Sequence, residues 1–154
     1  MRSSEPAPAG GETRCPFCRI IRGEAPHERV LDAEQALAFL DQSPLFPGHC
    51  LVVPRIHRAT LLDVPPAELG PLLAATQLVA QAVQEAMAAQ GSFVGINNVV
   101  SQSVPHLHIH VVPRRRGDGL KGFFWPRRKY ESLSAMAEVA ERVRTAVDRL
   151  REGR

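Results

Sequence analysis

The run VPHLHIHVVPR at residues 104–114 sets three histidines on alternate positions of an otherwise apolar segment. Side chains alternate between the faces of a β-strand, so His106, His108 and His110 project one way and Leu107, Ile109 and Val111 the other. The apolar row predicts one wall of a core packed against a helix. The imidazole row predicts more than packing, because each ring carries nitrogens that need partners and each can gain charge near neutral pH. Two chemistries suit it: metal ligation, or phosphoryl transfer at a ring nitrogen. A neutral imidazole attacks phosphorus while its second nitrogen is oriented by an acceptor. Neighbouring imidazoles and hydroxyls then bind phosphate oxygens and protonate a leaving group.

The 154 residues suffice for one domain, read here as 14–154, behind a Pro-, Gly- and Ser-rich tail at 1–13 that is expected to be disordered. No apolar run is long enough to cross a bilayer and the first residues lack a signal-peptide core, so a cytoplasmic protein without a membrane partner is expected. A net charge of +3 suits small phosphate-bearing ligands and does not mark a nucleic-acid binder. The positive charge is concentrated at Arg114, Arg115, Arg116, Lys121, Arg127, Arg128 and Lys129, interleaved with Phe123, Phe124 and Trp125. Three cysteines without an export signal argue for a metal site or buried thiols over a disulfide framework. No Walker-type glycine loop is present, which excludes P-loop phosphate binding.

Strands are expected at 29–31, 36–40, within HCLVVPR, within FVGIN and through VPHLHIHVV. A long helix is expected over 66–90, with Leu72, Leu73, Thr76, Val79, Ala80, Val83 and Met87 as its apolar stripe and Gly91 as its stop. A second helix is expected near the C-terminus, capped by Ser132 or Ser134, with Met136, Val139, Ala140, Val143, Val147 and Leu150 on one side. This order implies an α+β domain whose antiparallel sheet is covered on one face and free on the other to hold a site.

The run HLHIHVV resembles the signature of the histidine triad (HIT) superfamily. CPFCRIIRGEAP, ALAFLDQSPLFPGHCLVVPRIH, INN and SQSVPHLHIHVVPR follow in the family's order over most of residues 15–119. The chain departs from the family before the histidines: Ser101 stands where many relatives have Gly, and only VVS links Asn98 to Gln102. The resemblance implies a HIT-like fold and a purine-nucleotide substrate. It casts His108 as the nucleophile that becomes a nucleotidyl-histidine, with His106, His110 and His49 completing the catalytic set. Gln102 and Ser103 match groups near the phosphate, Asp41 the acid that binds ribose hydroxyls, and Phe39 and Gln42 the base pocket. Asn97 or Asn98 supplies a further polar contact.

CPFC alone is half a metal site. In the bacterial branch that the chain resembles, Cys15 and Cys18 are joined by His57 and His106, a Cys2His2 set suited to structural zinc; no organic cofactor is expected. Cys50 reads as a small buried hydrophobe. The resemblance further implies a homodimer joined edge to edge, in which the basic aromatic segment with Trp125 approaches the partner's pocket. The expected activity is hydrolysis of, or nucleotidyl transfer from, a dinucleoside polyphosphate or nucleoside phosphoramidate. The alternatives are phosphorolysis of dinucleoside polyphosphates, and a nucleotide-binding or protein-interaction module with little turnover. A zinc-dependent nucleic-acid-binding domain would need a second pair of ligands at finger spacing, which the sequence does not offer.

Overall fold

The computed structural model describes residues 10–121 and 128–153. Five strands, β1 (Arg29–Asp32), β2 (Ala36–Leu40), β3 (Cys50–Pro54), β4 (Gly91–Ile96) and β5 (Ile109–Arg114), form one sheet in the order β1-β2-β3-β5-β4. Every neighbouring pair is antiparallel. The expected α+β class is what the chain adopts. β2 and β3 are buried on both faces, apart from Leu40 at the end of β2. One face, with Ala36, Ala38, Cys50, Val52, Ile109 and Val111, packs on α3 (Pro66–Ala86) through Leu72, Val79 and Val83. Each such aliphatic side chain withdrawn from water contributes about 1.5–3 kcal/mol before the cost of ordering the chain.

The second face holds the site, as the sequence suggested, but part of it is covered. Leu37, Phe39, Leu51 and Val53 pack against Phe17 and Ile20 of α2 (Pro16–Ile21), a six-residue helix too short to show an apolar period. Ahead of it, α1 (Gly10–Arg14) begins inside the segment expected to be a tail. α3 keeps most of its expected stripe, but Leu73 is exposed, because Leu72, Ala75, Thr76, Val79 and Val83 define the buried line. It also ends four residues short of Gln90. Ala88 enters the left-handed region at φ 47°, where its N–H bonds the Glu85 carbonyl and the Ala89 N–H bonds that of Gln84, closing the helix end. Gly91, the expected stop, opens β4 instead.

The histidine run is strand only from Ile109. Before it, the Leu107 N–H donates to the Arg58 carbonyl at 2.6 Å and the His106 N–H to that of Val104 at 2.8 Å, so loop partners replace the ladder. The alternation survives: Leu107, Ile109 and Val111 all lie in the core under α3.

The described residues divide into two compact units, with the boundary between Asp118 and Gly119. The second contains α4 (Leu133–Glu152), whose Ser132 hydroxyl accepts from the Ala135 N–H at 3.0 Å and so caps it. In the first unit, Arg114 pairs with Asp118 and Arg115 donates to the Met87 carbonyl. Phe123, Phe124, Trp125 and Arg127 fall outside the described residues, and with them the expected role of that segment.

The short link before the histidines carries backbone strain. The Val100 N–H bonds the Asn98 carbonyl at 2.8 Å across Val99, whose φ is 68°, and Ser101 follows at φ 62°. A γ-turn centred on a β-branched residue at positive φ is unfavourable, and Ser101 occupies a conformation that glycine adopts freely. Val99 is 74% exposed, so removing its side chain sacrifices little packing. Val99→Gly should therefore stabilise the protein by about 0.5–1 kcal/mol, the relief of left-handed strain less the greater chain entropy of glycine. A urea midpoint that rises at constant slope checks this; an unchanged or lower midpoint would show the turn to be relaxed.

Candidate active site and metal-ligand cluster

His106, His108 and His49 are 0%, 4% and 3% exposed, which rules out a solvated histidine row. Each ring nitrogen must then be accounted for. His108 Nδ1 lies 2.8 Å from the His106 carbonyl oxygen, so Nδ1 carries the proton and donates it. Its Nε2 is left with a lone pair, on a ring that lines the cleft. The Leu45 N–H donates to His49 Nδ1 at 3.1 Å, which puts the His49 proton on Nε2, 2.9 Å from His110 Nδ1. His110 accepts there and holds its own proton on Nε2. Leu45, His49 and His110 thus form a directed chain.

Burial, helped by the neighbouring His108 and His49, brings His110 down to about 4, so its ring is neutral near neutral pH. Burial also lowers His49, outweighing the opposite pull of the Asp41 carboxylate 3.7 Å away. The turn that delivers His49 depends on Gly48, at φ 95°, where a Cβ would stand 2.6 Å from Met87 Cγ.

A cleft of about 450 Å³ opens over this row, with Phe39, Asp41, Gln42, Ser103, His108 and His110 in its wall. One Asp41 oxygen accepts from the Ser43 N–H at 2.8 Å, which holds the carboxylate at the rim. Phe17 stands edge-on to both Phe39 and His108, at centroid distances of 5.4 and 5.2 Å. Sequence reasoning gave Phe17 no role; the proline opening its short helix was the available signal. Three expected nucleotide ligands are placed otherwise. Asn98 Oδ1 accepts from the Leu61 N–H, and Gln102 bridges the Val99 N–H and the Ala59 carbonyl. Those amides hold the strained loop, and neither they nor Asn97 line the cleft.

Cys15, Cys18, His57 and His106 converge with their ligand atoms within 4.8 Å of one another. His106 Nδ1 is 3.5 Å from both thiol sulfurs, and His57 Nδ1 is 3.3 Å from Cys18 Sγ. Tetrahedral zinc with ordinary bond lengths separates a sulfur from a nitrogen ligand by about 3.6 Å, which these three sulfur–nitrogen separations approach, so the cluster is compatible with a zinc ion. His106 Nε2 donates to the Pro54 carbonyl at 3.0 Å, which turns the Nδ1 lone pair toward the thiols as a metal ligand requires. A second group, Asp41, His49 and His110, is also compact but does not suit a metal. His49 Nδ1 already accepts from the Leu45 N–H, so ligation through Nε2 would leave that ring without a proton.

The HIT domain family's sequence pattern matches residues 22–117. An uncharacterised HIT-like protein of Mycobacterium tuberculosis is 41% identical over 108 residues, covering 69% of this chain and 75% of that protein. The adenosine 5′-monophosphoramidase of Saccharomyces cerevisiae is 34% identical over 111 residues, 71% of this chain and 68% of that enzyme. Among solved structures, a zinc-bound histidine triad family protein from Mycobacterium smegmatis superposes with a TM-score of 0.67 at 36% identity, over 84% of this chain and 98% of that one. A match over well more than half the chain, on a fold that brings the alternating histidines together beside one cleft, establishes that this protein belongs to the HIT domain family.

Proposed function

We propose that the protein is a nucleotidyl hydrolase or transferase acting through a nucleotidyl-histidine on His108. The observation that carries the reading is the His108 ring, fixed by its Nδ1–H bond to the His106 carbonyl with the Nε2 lone pair left for the cleft. In the first step Nε2 attacks the α-phosphorus of a dinucleoside polyphosphate or nucleoside phosphoramidate. The P–N bond to His108 forms, and the bond from phosphorus to the leaving phosphate or amine breaks, a leaving amine taking a proton from solvent as it departs. The positive charge gained by the imidazole ring is met by the His106 carbonyl, and His110 Nε2–H donates to a non-bridging phosphate oxygen. Water then attacks phosphorus, the P–N bond to His108 breaks, and nucleoside monophosphate leaves while the proton lost by water passes to solvent. Asp41, at the rim, accepts from the ribose hydroxyls, and Ser103 binds near the leaving group.

Zinc in the Cys15–Cys18–His57–His106 cluster belongs to the same reading. The ion would fasten the N-terminal segment to the sheet, and with four protein ligands it leaves no position open for water. A homodimer joined through sheet edges is supported by β4, one of the two edge strands of the sheet, with Val94 45% exposed.

Two experiments test these statements. With adenosine 5′-phosphoramidate and diadenosine polyphosphates as substrates, His108→Ala should lower kcat by roughly 10³-fold or more while folding normally. Release of AMP, or of ADP when inorganic phosphate is supplied, separates hydrolysis from phosphorolysis; full turnover by the variant would refute the nucleophile. Metal analysis should find about one zinc per chain, with Cys15→Ser lowering both the zinc content and the unfolding temperature. Protein that carries no zinc after purification without chelators, and takes up none when it is supplied, would remove the metal from the account.

A further inference from the structure

The sixth histidine, His27, lies outside the triad, the His49–His110 chain and the metal cluster. Its Nδ1 is 3.1 Å from the Ala25 carbonyl oxygen, so Nδ1 bears the proton and Nε2 can only accept. That Nε2 is the one buried side-chain nitrogen or oxygen among the described residues with no hydrogen-bond partner. A buried acceptor left unpaired is unfavourable and uncommon in a folded protein. His27 also lines the same cleft as Asp41 and His108. Its ring stands edge-on to Phe39 at 6.2 Å and 75°. Phe39 touches Phe17, and Phe17 touches His108, so three ring contacts separate His27 from the nucleophile.

Other polar side chains of the cleft behave differently. Arg19 and Gln42 are exposed and can bond water whenever no ligand is bound. Closed to water in the unliganded cleft, the His27 acceptor gains a partner only if its ring turns toward a bound donor. A planar base stacked along Phe39 brings such a donor in its exocyclic amino group.

We propose that His27 reads the base: its Nε2 accepts from the 6-amino group of an adenine held against Phe39, giving the cleft a preference for adenine over 6-oxopurines. The assignment rests on the nucleotide reading above but not on turnover. His27 touches no reacting atom, so it acts on specificity and not on the chemical step. A 6-oxo group would set one acceptor against another, whereas a purine lacking the 6-substituent would leave Nε2 as it is.

The test measures binding, so it stands apart from catalysis. Titration calorimetry of the full-length protein with AMP, purine riboside 5′-monophosphate and IMP should show AMP bound roughly three- to tenfold more tightly than the unsubstituted purine, with IMP weakest. His27→Leu should bring the three affinities within about twofold of one another, and His27→Gln, which keeps an acceptor, should retain part of the preference. A merely structural His27 would weaken all three ligands alike and leave their ratios unchanged, which overturns the proposal. So does equal binding of AMP and the unsubstituted purine by the unaltered protein. The AMP preference without turnover would defeat the nucleotidyl mechanism and leave the base assignment standing; turnover dependent on His108 without the preference would do the reverse.

Discussion

The buried imidazole of His106 is the constraint from which the site follows. It is fully enclosed, and its three polar groups face three ways: Nε2–H to the Pro54 carbonyl on β3, Nδ1 to the thiols of Cys15 and Cys18, and its own carbonyl to the His108 ring. Desolvation by burial keeps this ring neutral, with its value lowered to about 4. A single residue therefore joins the central sheet, the N-terminal segment and the His108 ring. Shifting it by an ångström would move the acceptor that fixes the His108 tautomer, and such displacements are expensive in close-packed interiors.

Around this anchor, stability and chemistry draw on the same groups. Part of the sheet face opposite α3 is covered by α2, and Phe17 of that short helix serves both as core and as a wall beside His108. The loop before the histidines tolerates two residues at positive φ because the amides of Asn98 and Gln102 bond backbone groups at 59, 61 and 99. Strain is thus retained next to the site and balanced by hydrogen bonds around it.

Much of this was legible in the sequence. The period-two alternation of histidine with Leu107, Ile109 and Val111 assigned one row to the core, and the three-and-four spacing along α3 located the helix that covers it. The metal-ligand cluster was legible only through resemblance, since spacing identifies Cys15 and Cys18 but cannot bring His57 and His106 to them. α2 escaped because six residues display no period. Leu73 was misassigned to the buried stripe because neighbouring residues on a helix differ by about 100° and either can begin a three-and-four pattern. His27 carried no signal at all. Its meaning lies in which ring nitrogen is occupied and what surrounds the other, and no one-dimensional pattern contains that.

The proposed reaction turns on a covalent bond between His108 Nε2 and phosphorus. Mixing the protein with adenosine 5′-phosphoramidate, quenching in alkali, where P–N bonds to histidine survive, and mapping peptides by mass spectrometry tests it directly. The predicted result is an adenylyl group on His108 during turnover and on no residue of the His108→Ala protein. An adenylyl group on His110 or His49, or steady turnover with His108 unmodified at every time, would contradict it.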